Sequence, residues 1–150
     1  MEENCLFAKM SKCYFGVEKV EYLGHFLSRE GVSTNPAKVT AVKDWPLPST
    51  LKQLRGFLGL AGYYKRFVKG YGGVAKPLTE MLKKDSFSWT PEAKNALEQL
   101  KELLITTLVL ALPDFSRPFV VEVDASGTSL GAVLMQDHHP IEYVSRALSV

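Results

Sequence analysis

The stretch "FVVEVDASGTSLGAVLMQ", residues 119–136, decides the fold. Upstream of it, apolar residues recur at helical spacing. Here the period drops to two, and "FVVEVDA", "LGAVLMQ" and "IEYVSRA" read as three consecutive strands with short polar connections, a meander. The first strand ends on Asp124, and the residues after it are small. A carboxylate there, with nothing bulky beyond it, suits a metal ion, but a catalytic metal needs more than one such ligand.

Working backward from the meander, "WTPEAKNALEQLKELL" is the strongest helix. Thr90 is its N-cap, Pro91 its first residue, and Leu97, Leu100 and Leu104 share one face. In "PSTLKQLRGFLGLAGYYKRFV", Ser49 or Thr50 caps a second helix. Its stripe of Leu51, Leu54, Leu58 and Ala61 is broadened by Phe57, Leu60 and Tyr64. "TNPAKVTAVKDW" offers Asn35 as N-cap and Pro36 at the first helical position, and Pro46 ends it. "KGYGGVAKP" breaks the pattern with three glycines and a proline, and a short helix around Leu78–Lys84 is predicted after it. Near the N-terminus, "YFGVEKVEYLGHFLSREGV" predicts a compact hairpin around Val20–Phe26, then a glycine turn before Val32.

The fold class is therefore α+β: an N-terminal β-hairpin, a basic helical block, then an antiparallel three-strand sheet. A lone meander has no element to cover its apolar face. Side chains such as Val121 or Val133 are expected to face water there, and association through that face is expected.

Composition narrows the class further. A chain of 150 residues with 46% hydrophobic and 23% charged content is globular, sized for one domain or for two small pieces of larger ones. No apolar run is long enough to cross a bilayer, and the acidic start "MEENCLFAKM" lacks an apolar leader core. Cys5 and Cys13 suit neither a zinc site nor a disulfide framework, so reduced thiols and an intracellular protein are expected, with cytoplasm and nucleus not distinguished. His138 and His139 read as a surface turn. No Ser-His-Asp arrangement, phosphate-binding glycine loop or zinc pattern is present.

The net charge of +2 hides a sharp division. Residues 1–37 carry four Lys/Arg and five Asp/Glu; residues 38–84 carry ten Lys/Arg against Asp44 and Glu80, a local +8; residues 85–150 carry a net −5. A basic centre of this kind points to an anionic partner.

Five segments in this order resemble the pol polyprotein of gypsy-class LTR retrotransposons: "KCYFGVEKVEYLGHFLS", "WPLPSTLKQLRGFLGLAGYYKRFV", "PLTEMLKK", "LALPDFSRPFVVEVDASGTSLGAVLMQ" and "HPIEYVSRALS". The likeness runs from about Cys5 to Ser149. It implies that residues 1–34 are the end of a reverse transcriptase palm with a primer-grip-like hairpin. Residues 35–112 would be thumb and connection helices, and residues 113–150 the start of a truncated RNase H-like domain. The family's Tyr-x-Asp-Asp polymerase signature is absent, since no two aspartates are adjacent. By the resemblance Asp124 matches the first metal-binding aspartate of RNase H, whose partners would lie beyond the last residue. Mg²⁺ is then a cofactor of the parent family, and tight binding by this chain is not expected. Glu122, two residues earlier, and Glu142 on the third strand either complete a residual site or are solvated; the solvated reading fits a half-exposed sheet better.

The same resemblance makes Tyr22, Leu23, Gly24 and His25 the primer grip. It makes "LKQLRGFLGLAGYYKRF" the thumb helix that tracks the minor groove of a template–primer duplex. Gly56, Gly59 and Tyr63 lie on one side of that helix, where either nucleic acid or a neighbouring helix approaches closely. Lys52, Arg55, Lys65, Arg66 and Lys69 would meet phosphates, or else form a solvated face. The implied partners are an RNA–DNA hybrid or a DNA duplex, without sequence specificity, and no membrane. The missing palm and RNase H parts could be supplied on another chain. The parent activities are RNA-directed DNA polymerase and hybrid endonuclease, and independent catalysis by this chain is not expected. The alternative is a non-catalytic binding remnant or an inert decayed reading frame.

Overall fold

The protein, seen in a computed structural model, is described for residues 7–106 and 109–148. Cys5 lies outside the described residues, and Cys13 is a half-buried free thiol.

The expected hairpin is present and gains a third strand. β1 (Lys19–Tyr22) pairs antiparallel with β2 (His25–Ser28), and β2 with β3 (Gly31–Thr34). Gly31 has φ +129, and a Cβ there would sit 2.1 Å from the Leu110 carbonyl oxygen. Val32 and Leu110 exchange two backbone bonds, of 2.8 and 2.9 Å, so a segment far along the chain closes the edge of this sheet.

Four helices follow, three of them capped as the sequence predicts. Asn35 accepts from the Ala37 amide at 3.0 Å and starts α1 (Pro36–Lys43). Thr50 accepts from the Gln53 amide at 3.2 Å to start α2 (Leu51–Tyr63), while the Gln53 side chain accepts from the Ser49 amide at 2.7 Å. This reciprocal arrangement satisfies amides that have no partner inside the helix. Thr90 does the same for α4 (Pro91–Ile105), accepting from the Ala93 amide at 3.2 Å. The core forms where α2 turns inward through Leu54, Phe57, Ala61 and Tyr64 and meets Leu78, Leu97, Leu100, Leu104 and Leu110. Trp45 sets its ring against Phe57, and the Trp89 indole donates to the Pro48 carbonyl at 2.7 Å, closing the helix boundaries.

The third helix departs from the sequence expectation. The glycine-rich segment is itself helical: α3 runs Tyr71–Glu80, with Pro77 inside and Gly70 at φ +71 just before it. The reason is tertiary. Gly72 lets the start of α3 lie against the last strand: a Cβ there would come within 3.0 Å of Ala147 and Arg146 backbone atoms. The Gly72 amide donates to the Ser145 hydroxyl at 2.7 Å, and the Lys76 ammonium donates to the Leu148 carbonyl at 3.0 Å.

That strand belongs to the predicted meander, β4 (Val120–Ala125), β5 (Ser129–Gln136) and β6 (His139–Ala147), antiparallel in the order 4-5-6. A bulge between Leu134 and Met135 lets Ile141 enter the interior. Strand alternation and register give the sheet two faces. Glu122, Asp124, Val133, Tyr143 and Ser145 share the face that meets α3, whereas Val121, Val123, Leu130 and Val144 share the other and are exposed. Val121 thus faces water as expected, but Val133 is on the opposite, partly covered face.

Gly72→Val forces β-carbon and methyl groups against the β6 backbone. It is expected to destabilise the protein by about 1–3 kcal/mol, read as a lower urea midpoint at unchanged slope. An unchanged midpoint would mean that α3 and the sheet are not tightly seated.

Candidate nucleic-acid interface

The β1–β2 turn is built from residues in the left-handed region. Leu23 has φ 49 and Gly24 φ 76, as a two-residue hairpin turn that follows strand twist requires. Glycine takes this conformation freely, whereas leucine does so at a cost of about 1–2 kcal/mol. Two consecutive tyrosines at the end of α2 hold the turn. The Tyr63 hydroxyl donates to the Leu23 carbonyl, and the Tyr64 hydroxyl lies 3.4 Å from the Gly24 carbonyl.

His25 fills the space between turn and helix. Its ring stacks on Tyr63 at 5.2 Å and 4°, meets Tyr64 edge-on at 5.5 Å, and tilts against Phe67 at 5.2 Å. The Nδ1 atom is buried with no hydrogen-bond partner. Burial, then the positive charges of Arg66 and Lys38, lower the ring's proton affinity below its ordinary value. Burial raises the Tyr64 phenol, with smaller contributions from Tyr63 and Glu21. Both groups are therefore neutral at neutral pH.

From this cluster the exposed side of α2 runs back through Tyr63, Gly59, Gly56, Arg55 and Lys52, opposite the buried Leu54, Phe57, Ala61 and Tyr64. Tyr22 and Leu23 are exposed at the turn, so the grip-like residues and the glycine face adjoin through Tyr63. Tyr22, Leu23, His25, Tyr63 and Arg66 also line a cavity of about 350 Å³, whose far wall is Leu110, Pro113 and Ile141. Lys65 and Arg66 are exposed on the turn after α2, with Arg66 bridging to Glu142 at 3.6 Å.

Lys69 goes elsewhere. With Gly70 it borders a cleft of about 260 Å³ whose other wall includes Glu122, Asp124, Ser129, Tyr143 and Ser145. Asp124 is exposed on β4 opposite Gly131, and Glu122 shares its face. Glu142 does not line this cleft, its carboxylate being turned to Arg66. Among the described residues no three His, Cys, Asp or Glu side chains gather to hold a metal. Two carboxylates fall short of the oxygen-rich set that a pair of Mg²⁺ ions needs, so these residues do not fit that cofactor.

His138, at φ 63 beside Asp137 at φ 47, forms the β5–β6 turn as the sequence reading has it, whereas His139, read as part of that turn, is the first residue of β6, paired with Gln136. Sequence reasoning missed Tyr64, assigned only to the apolar face, and Lys38, whose ammonium lies 2.8 Å from where a Gly24 Cβ would stand. The paired tyrosines carry a usable signal, since neighbours on a helix reach two successive carbonyls. Lys38 carries none.

Residues 89–150 match the family of RNase H-like domains found in reverse transcriptase. Over 143 residues the chain is 43% identical to the retrovirus-related Pol polyprotein from transposon 297 of Drosophila melanogaster, covering 94% of this chain and 14% of that polyprotein. It is 51% identical over 124 residues to a mitochondrial protein of Arabidopsis thaliana, covering 81% of this chain and 78% of that one. The chain belongs to the retrotransposon Pol family. The Pol protein of transposon gypsy, also from Drosophila melanogaster, matches at 37% identity over 150 residues, again across 14% of its length. Among solved structures, the foamy viral protease–reverse transcriptase superposes with a TM-score of 0.80 at 25% identity, over 88% of this chain and 19% of that one, in a complex with RNA/DNA hybrid. A foamy viral form in complex with double-stranded DNA gives the same TM-score over 87% and 24%. No helix among the described residues is long and apolar enough to cross a membrane.

Tyr63→Phe removes the hydroxyl that holds the Leu23 carbonyl. It is expected to cost about 0.5–1.5 kcal/mol in urea denaturation. No change would show that the turn closes without it.

Proposed function

We propose that this segment of Pol grips the backbone of a template–primer duplex or RNA–DNA hybrid, without reading its sequence and without cutting it. Gly59 carries the reading. It lies on the exposed side of α2, and a Cβ there would meet nothing within 4 Å; at Gly56 it would meet Trp45 at 3.8 Å. Two glycines inside a helix cost about 1 kcal/mol each relative to alanine, and no neighbouring helix offsets that cost at Gly59. An approaching sugar–phosphate backbone does.

Lys52 and Arg55 flank the glycine face, Lys65 and Arg66 lie past its end, and Tyr22, Leu23, Gly24 and His25 form the turn beyond Tyr63. Phosphate contacts from such residues fix position and carry no base information. The foamy viral structures, in complex with double-stranded DNA and with RNA/DNA hybrid, support the class of partner. In this reading Asp124 is a metal-ligand position of the parent RNase H activity, and Lys69 beside it serves that cleft rather than the grip. Turnover by the chain itself is not part of the proposal, because Glu122 and Asp124 alone do not make a two-metal site.

The test is fluorescence anisotropy with a labelled RNA–DNA hybrid and a DNA duplex across a salt series. Affinity should fall steeply with salt, and Lys52→Ala with Arg55→Ala should flatten the log–log slope by about 2. Gly59→Ala separates contact from architecture: stability should rise by about 1 kcal/mol while affinity falls. Unchanged affinity in Gly59→Ala, or no binding by the parent chain, would overturn the grip.

A further inference from the structure

We propose that His25 is a pH-sensitive latch on this grip: protonating its ring undocks the β1–β2 turn from the end of α2. The undocking stands on the geometry of the ring cluster alone, and its effect on nucleic acid rests on the grip reading above.

The half-buried ring borders the cavity, yet the groups packed on it favour the neutral form. Tyr63, Tyr64 and Phe67 pack against it, and its buried Nδ1 has no partner. A neutral imidazole can leave that nitrogen as a bare lone pair. The imidazolium carries a proton on both nitrogens, so a buried donor without an acceptor would appear at this spot. The charged neighbours deepen the conflict. Arg66, from the turn after α2, and Lys38, from α1, both oppose a positive ring. The carboxylates bordering the cluster are engaged elsewhere, Glu21 by the Asn35 amide at 2.9 Å and Glu142 by Arg66 at 3.6 Å, and neither bonds Nδ1. The Tyr63 face would attract a cation, but it reaches the ring plane and not the orphaned nitrogen.

Swinging His25 into water relieves the conflict. Because His25 directly follows Leu23 and Gly24, that movement carries away the turn held by Tyr63 and Tyr64. The direction with pH follows from linkage. The folded ring binds its proton less readily than the unfolded one, so the stability it contributes is complete above 6.5 and drains as pH falls from 6.5 through the lower folded value.

The test is NMR on the whole chain, following the His25 ring nitrogens and the ring-to-ring NOEs from His25 to Tyr63 and Phe67, from about pH 8 down to about pH 5. The expected result is a His25 midpoint below 6.5, with the NOEs lost along the same curve. In His25→Phe the ring remains and the proton site does not, so the corresponding NOEs should persist across the range. In parallel, hybrid affinity should weaken severalfold through the transition in the parent chain and not in His25→Phe. Added positive charge by itself would tighten binding in acid, so weakening in acid cannot come from charge alone. A midpoint at or above 6.5, or NOEs that survive the titration, would overturn the latch. If His25→Phe does not fold, the parent titration decides alone. If the hybrid does not bind at any pH, the grip fails while the NOE titration still judges the latch.

Discussion

The two sheets of this molecule are tied together at one dipeptide, Leu110 and Ala111. Leu110 exchanges both of its backbone bonds with Val32 on the N-terminal sheet, and the next amide, of Ala111, donates to the Pro140 carbonyl at 2.8 Å on the C-terminal sheet. Two sheets more than a hundred residues apart in sequence at their extremes are stitched through consecutive residues. The contact is backbone to backbone, so it leaves little room for adjustment, and the 2.1 Å approach at Gly31 admits no side chain. Once this seam is made, Leu110 is buried at the edge of the helical core and Ile141 reaches the same cavity as His25. The glycine docking of α3 on β6 fixes the opposite side.

Much of this was legible because it is local. The three helix caps at Asn35, Thr50 and Thr90 need only a short polar side chain ahead of an apolar stripe, and the meander needs only its period of two. What escaped is what depends on partners far along the chain. "GYGG" looks like punctuation until β6 is placed against it; then the missing side chain of Gly72 is the condition for a helix to lie there. β3 and its bridge to Leu110 were invisible for the same reason. In the candidate site, periodicity put Gly56, Gly59 and Tyr63 on one side of α2. No spacing could have assigned Glu142 to Arg66 or Lys38 to Gly24.

The charge pattern teaches a related lesson. A local +8 over residues 38–84 suggests one basic patch, but the fold distributes those cations among different tasks. Lys52 and Arg55 stand on the open side of α2, Arg66 is shared with a carboxylate, and Lys69 faces Glu122 and Asp124 across a separate cleft. Formal charge counted along a sequence measures the long-range field, which steers an anion from a distance. The contacts themselves depend on which cations remain exposed beside an approachable backbone, and here that set is smaller.

The hairpin turn supplies the last step. A two-residue turn that had only to reverse the chain would use asparagine and glycine, which accept positive φ with little strain. This one places leucine at φ 49, leaves its side chain 69% exposed, and holds it by a tyrosine hydroxyl from another element. Strain of this kind persists only where surrounding structure imposes it, and it collects where a surface must be held ready for contact. Burial of Leu23 does not explain the choice, and neither does turn propensity. In the grip we propose, an apolar side chain held outward at the tip, beside exposed Tyr22 and the ring stack of His25 and Tyr63, serves as a platform set before the nucleic acid arrives.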